Sequence, residues 1–407
     1  MDKLELLGES AQWDICATDA CLGRRGMGRK RAPGDLPKWI YPAALPDGHQ
    51  VLLMKVLMSN ACQNRCAYCA NRCGRVGESA GFSPEELVRA FLEFHRRGLA
   101  RGLFLSSAVP DSADQTMERM LKAVEMLRRK HRFRGYIHLK VLPGASFDRV
   151  ERAVQLADRV SINLEAPGAE RLARLAPDKD FEKALLTRMR WIRELKGREG
   201  TACRGHTTQF VVGAAGETDH EILQAGARLY GEMGLERCYF SAFAPVAGTP
   251  LGDASPTSLT REHRLYQADF LFRKYGWRLE DLRFGEDGNL TLKMDPKLAW
   301  AQAHPERFPI EVNRAELGEL LRIPGVGPRS ARRIIALRRR ERITRLDDLR
   351  ALGAAANRAA GYVLLAGRRP SEVEGQMPLD FGSAVHVGRE TGPSAESARS
   401  RGYSVPV

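Results

Sequence analysis

Six short runs rich in β-branched and aromatic residues, separated by longer amphipathic stretches, limit the possible fold more than any other feature of this 407-residue chain. The runs are Val51–Met58, Gly102–Ser107, Tyr136–Val141, Val160–Leu164, Thr207–Val212 and Cys238–Ser241. Between them lie helical patterns over Glu85–Arg97, Met117–Arg129, Phe181–Lys196 and Glu217–Met233. The first of these opens with Ser83-Pro84-Glu85-Glu86, a capping box with proline at the first helical position. Strands alternating with helices predict a parallel sheet covered by helices. Six units predict an α/β fold built as an open, partial (β/α)6 barrel over residues 51–300 rather than a closed eight-fold one. In such folds the chemistry sits at the C-terminal ends of the strands.

The end of the first strand carries Cys62-Gln63-Asn64-Arg65-Cys66-Ala67-Tyr68-Cys69. Three thiols in one tight loop can wrap one face of a cubane iron–sulfur cluster and leave the fourth iron open. Cys73 extends the run toward a ferredoxin-like spacing, but the first gap is one residue too long and Gly74, not proline, follows. A zinc ribbon would need a second Cys-x2-Cys knuckle, and the sequence has none. Cys62, Cys66 and Cys69 are the candidate cluster ligands, with Cys73 a bystander or a residue behind them.

This spacing, with an aromatic residue before the third cysteine, resembles the signature of the radical S-adenosylmethionine (SAM) enzymes. The resemblance implies a 4Fe–4S cluster that binds SAM at its open iron and cleaves it to a 5′-deoxyadenosyl radical. It also implies that Tyr68 lies against the adenine and that Ser106 and Ser107 reach the SAM amino group. Asn163 and Glu165 would reach its ribose or carboxylate, and the loop from Gly213 to Glu217 its adenosine. The acidic Gly-Gly-Glu usual after the second strand is replaced here by Ser106-Ser107. His138 and Lys140 alternate along the third strand and are expected to face the barrel interior. A histidine there is expected to be a hydrogen-bonded core residue.

The second motif is Leu320-Leu321-Arg322-Ile323-Pro324-Gly325-Val326-Gly327-Pro328-Arg329-Ser330-Ala331. An apolar helix end runs into two glycines, and a new helix starts at Pro328. A glycine turn exposes backbone N–H groups at a helix N-terminus, where phosphate is attracted. Residues 311–370 hold 14 Arg against 6 Asp and Glu, so +8 of the chain's net +14 lies in one short segment. The pattern looks like a helix-hairpin-helix DNA-binding motif. Gly325, Val326 and Gly327 would grip a backbone phosphate, with Arg329, Arg332 and Arg333 adding electrostatic contact. Leu352-Gly353-Ala354 is a candidate second, degenerate turn.

Cysteine loop and hairpin in this order resemble a family of DNA modification or repair radical SAM proteins. The resemblance covers most of residues 1–370, including Leu103–Ser107, Gly135–Lys140, Ser161–Pro167, Tyr239–Phe243 and Asp295–Trp300. It implies a DNA substrate and an electron donor such as flavodoxin or ferredoxin. It names no reaction. Two rivals stand beside it: a radical SAM enzyme acting on RNA, and a non-enzymatic DNA-binding protein whose structural or redox cluster takes Cys73 as fourth ligand.

The expected organisation is an N-terminal extension over 1–50 with the basic cluster Arg24, Arg25, Arg29, Lys30 and Arg31, and the barrel over 51–300. A small all-α helix-hairpin-helix domain over 301–370 and a disordered tail over 371–407 follow. Within the tail, Gln376-Met377-Pro378-Leu379-Asp380-Phe381 resembles the peptides that dock bacterial DNA enzymes on the replication sliding clamp. An iron–sulfur loop needs reduced thiols, so a cytoplasmic protein is expected; Met1–Asp14 has no apolar signal core and no apolar run is long enough to span a bilayer, so no membrane association is expected.

Overall fold

The computed structural model describes residues 3–11, 39–44, 50–74 and 77–370. The basic cluster of Arg24 to Arg31, the tail and its Gln376–Phe381 island lie outside the described residues.

All six expected strands form. They are β2 (Gln50–Leu57), β3 (Gly102–Ser106), β4 (Tyr136–Lys140), β5 (Arg159–Ser161), β6 (Gly205–Val212) and β7 (Arg237–Ala242). They pair in sequence order and in parallel. A strand that the sequence pattern did not signal, β1 (Ile40–Ala44), adds antiparallel to β2 at the sheet edge. The sheet has seven strands in linear order, so it is the open half-barrel expected and not a closed ring.

A helix α1 (Lys3–Ser10) precedes the sheet, and α2 (Pro84–Arg96), α3 (Ala113–Glu125), α4 (Phe147–Leu156), α5 (Ala169–Leu175), α6 (Thr187–Leu195), α7 (Asp219–Glu232) and α8 (Leu259–Tyr275) accompany it. The Ser83 box closes as expected: Ser83 Oγ accepts from Glu86 N–H at 3.1 Å, and Glu86 Oε2 accepts from Ser83 N–H at 2.8 Å. Thr218 and Glu221 build the same device at α7.

The two faces of the sheet differ in chemistry. Met54, Val56, Leu103, Leu105, Ile137, Leu139, Val160 and Phe210 are buried with the apolar stripes of the helices. The register puts Lys55 beside Phe104, Phe104 beside His138 and Lys140 beside Ser161, so the concave face is polar and aromatic. A strand alternates sides with a period of two, which makes this division follow directly from the sequence.

After α9 (Pro296–Ala303) the chain enters a second apolar cluster that includes Val312, Leu320, Ile323, Val326, Ile334 and Leu349. Short strands β8 (Ile310–Glu311) and β9 (Val363–Leu364) pair in parallel and join its two ends. Within lie α10 (Leu317–Leu320), α11 (Pro328–Leu337), α12 (Leu346–Ala351) and α13 (Ala356–Ala359). They form two helix–turn–helix units. Gly325 and Gly353 occupy matching turns with left-handed φ of 86° and 85°. The degenerate second turn is therefore real in geometry.

Candidate functional site

The cysteine loop leaves the C-terminal end of β2 and is pinned from several sides. At its base Asn60 N–H donates to Ala80 O at 3.2 Å, and Ala80 N–H donates to Asn60 Oδ1 at 2.8 Å. Gln63 N–H donates to Val109 O at 2.8 Å, in the loop after β3. Ala67 N–H donates to Leu175 O at 2.7 Å, at the end of α5. Asp178 accepts from the Arg65 N–H at 2.6 Å and from its guanidinium, at 2.7 Å from Nη2 and 3.2 Å from Nε. Many anchors on separate elements fix the thiols more firmly than a free loop would.

Cys62, Cys66 and Cys69 line one cavity together with Tyr68, Ser107, Lys140, Asn163, Glu165, Lys179 and Gln209. All three are free thiols. Among the described residues no group of His, Cys, Asp or Glu converges as the ligands of one ion would. Three thiols lining one cavity are the donor set of a cubane with one open iron, whereas a structural zinc takes four ligands. Asn71 N–H points to Cys69 Sγ at 3.4 Å, a contact that suits a thiolate. The donor set therefore fits the cluster. Cys73 is exposed and is not among the cavity residues.

Burial pushes the Cys66 thiol up and the Cys69 thiol up to about 12. Buried thiols stay protonated until a metal takes the proton's place. Burial, and then the Glu165 charge, also holds the Tyr68 phenol well above its usual range. Glu165 is 5% exposed and adopts a left-handed φ of 65°. Its N–H donates to Gln209 O at 2.9 Å, and its carbonyl accepts from Val211 N–H at 2.8 Å. A non-glycine held there by β6 on both sides marks a position where the side-chain direction matters. Lys179 Nζ lies 3.4 Å from Glu165 Oε1, and both side chains are at most 10% exposed. Burial alone would lower the Lys179 ammonium, but Cys66, Glu165 and Cys69 together carry it above its ordinary value.

The structure thus brings Tyr68, Ser107, Asn163 and Glu165 into one cavity with the three cysteines. Ser106, Gly213 and Glu217 are not among the residues lining it. Ser106 is buried at the end of β3, where its carbonyl accepts from Met58 N–H at 2.8 Å. The Glu217 carboxylate takes the N–H groups of Gly213 and Ala215, so it shapes the loop after β6. Gly213 is left-handed at 87°, and a Cβ there would run into Thr257 Oγ1. His138 is buried, meets Ser161 Oγ at 2.9 Å through Nε2 and stands edge-on to Phe104. Burial holds its pKa well below the usual value, so it is a neutral core residue, as expected.

Sequence reasoning missed Lys179, Gln209, Asn71 and Ser10, the last contributed by α1. Gln209 had a usable signal, since it alternates with Thr207 and Val211 on an expected strand. Lys179 had none, because it lies in a connection about 110 residues beyond Cys69.

A second candidate surface is the first hairpin. Arg329, Arg332 and Arg333 are exposed along α11. Within the described residues no hydrogen bond takes the N–H of Gly325 or Gly327. Val326 departs from the expectation: its side chain is 1% exposed in the second core, and its N–H donates to Ile323 O at 3.1 Å. Its carbonyl accepts from Lys297 Nζ of α9 at 2.6 Å. Val326 holds the turn, and the two glycines present it.

Residues 56–229 match the family model described as Radical SAM superfamily. Among solved structures, methylornithine synthase (PylB) is similar at 14% identity and TM-score 0.43, over 53% of this chain and 60% of that one. The FeFe-hydrogenase maturase HydG from Carboxydothermus hydrogenoformans aligns at 15% identity and TM-score 0.44, over 53% of this chain and 50% of that one. A radical SAM methyltransferase from Sphaerobacter thermophilus aligns at 15% identity and TM-score 0.42, over 56% and 73%. The chain spans about half to three fifths of the length of the first two. No curated protein matches it in sequence.

Proposed function

We propose that this chain, whose residues 56–229 match the Radical SAM superfamily model, is an iron–sulfur enzyme that uses SAM and acts on a nucleotide of DNA, in modification or repair. The observation that carries the reading is the hairpin: the N–H groups of Gly325 and Gly327 before α11, unbonded among the described residues, with exposed Arg329 and Arg332 beside them and Arg333 reaching back to Leu352 O. Backbone donors at a helix start and mobile guanidinium groups recognise phosphate without reading sequence. A phosphate grip does not inspect the 2′-hydroxyl, so RNA is the competing substrate.

In this reading Cys62, Cys66 and Cys69 hold a 4Fe–4S cluster, while Tyr68, Ser107, Asn163 and Glu165 position SAM in the same cavity. When bound, the pair supplies a 5′-deoxyadenosyl radical able to abstract hydrogen from the substrate. The half-barrel walls keep water from the cavity and the polar concave face meets the target. A base inside a duplex cannot reach that face, so the nucleotide is extruded or the substrate is single-stranded. The electron comes from a small donor such as flavodoxin or ferredoxin, in the reducing cytoplasm where the ligand thiols stay free. The Gln376–Phe381 peptide serves as a tether to the sliding clamp.

Two measurements test this. Anaerobic protein with a reconstituted cluster, dithionite and SAM yields more 5′-deoxyadenosine with DNA than without. Fluorescence anisotropy with labelled duplex gives a salt slope that falls by about one for each phosphate that R329Q, R332Q or R333Q no longer neutralises. Unlabelled RNA that competes better than matched DNA, or arginine variants that bind as the parent does, would turn the assignment away from DNA.

A further inference from the structure

The segment between α5 and α6 brackets the cysteine loop from outside the barrel. Leu175 O receives Ala67 N–H, Asp178 receives Arg65, and the next residue, Lys179, turns inward to line the cavity. Its ammonium is buried, pairs with Glu165 Oε1 at 3.4 Å and shares the cavity with Cys66 and Cys69. Loading the site adds a cationic core whose charge the three thiolate ligands outweigh, so a net negative charge comes to lie beside the existing Glu165 carboxylate. Such an excess of negative charge in a buried place opposes adding one more electron. A buried cation fixed by its own anion on a rigid bracket reverses part of that opposition.

We propose that Lys179 is a positioning residue of the cluster nest: held in place by Glu165, its charge offsets the ligand thiolates and raises the reduction potential of the bound cluster. The proposal rests on the reading of Cys62, Cys66 and Cys69 as cluster ligands. Cluster potentials depend on net charge and hydrogen bonding around the sulfurs, so a fixed charge lining the same cavity bears on them. The pair also makes a prediction of sign. Removing the cation makes reduction harder, whereas neutralising its carboxylate partner makes it easier.

The experiment is a redox titration followed by electron paramagnetic resonance on reconstituted K179Q, K179R and E165Q, with iron and sulfide counted for each. Expected are a more negative midpoint for K179Q, a near-parental one for K179R and a more positive one for E165Q. Equal midpoints in K179Q and the parent, or a K179R shift as large as that of K179Q, would overturn the proposal. Should K179Q retain no iron, the K179Q/E165Q double variant decides: a midpoint no more negative than that of E165Q refutes the role. Parent protein that binds no cluster at all would instead refute the ligand assignment, so the two failures are distinguishable.

Discussion

Replacing Gly325 with alanine tests how the two hairpins of the C-terminal module depend on each other. Gly325 has a φ of 86°, and a Cβ there would sit 2.5 Å from the backbone oxygen of Ala355 and 3.1 Å from Arg358 Cβ. The left-handed conformation costs an L-residue about 1–2 kcal/mol. Forcing a methyl group into packed backbone adds about 1–3 kcal/mol, because Ala355 O belongs to the next turn and cannot swing away as a side chain would. Ala355 N–H also donates to Gly325 O at 2.8 Å, so relief of the clash breaks the bond joining the hairpins. A total of about 2–5 kcal/mol is a large share of the stability of so small a core. Hydrogen exchange should report it as weakened protection over residues 317–359, with the sheet unaffected, and duplex binding should weaken while basal SAM cleavage persists. Gly361→Ala is the control: no atom lies within 4 Å of its added Cβ. Full protection in G325A, or equal effects in both variants, would refute the argument.

Asp178→Ala should cost little global stability, at most about 1 kcal/mol, because its partner Arg65 is two-thirds exposed. It should nevertheless speed iron loss to a chelator severalfold; an unchanged rate would mean that the bracket does not hold the loop. Cluster loading should strengthen with rising pH, since Cys66 and Cys69 must shed protons that burial holds on them. Each released proton contributes up to about tenfold per pH unit, measured by competition with a chelator between roughly pH 6.5 and 8.5; pH-independent loading would contradict the buried thiols. Lys297, pushed down to about 7 mainly by burial, gives a stability slope of definite sign. Above about pH 7 the unfolded chain keeps this proton and the folded chain releases it, so stability rises with pH. The gain to pH 8.5 is about 2 kcal/mol and should vanish in K297M, as followed by urea unfolding; equal slopes in both proteins would refute it.

The local signals were legible in advance because their physics is local. The Ser83 box, the six strands and the glycine turn before Pro328 depend on residues a few positions apart, and the structure has all of them. The same holds for the three cysteines, which one tight loop after β2 brings to one cavity. Boundaries were less secure: the pattern over Met117–Arg129 became α3, starting at Ala113, and a π-helical turn over Met126–Lys130. Apolar periodicity fixes the buried stripe of a helix but not where its last hydrogen bonds fall.

What the sequence by itself determined is the class of the barrel, the place of the thiols at a strand end and the glycine geometry of the hairpin. Tertiary structure alone decided which groups surround those thiols. Asp178 is 113 positions from Arg65, Lys179 reaches the cavity from a connection with no motif, and Ser10 arrives on α1. It likewise decided that Val326 faces inward while Lys297, from α9, holds its carbonyl. Such contacts arise when the helices and connections dock on the open sheet. Their partners are chosen by the packing of the whole chain, which no short window of residues contains.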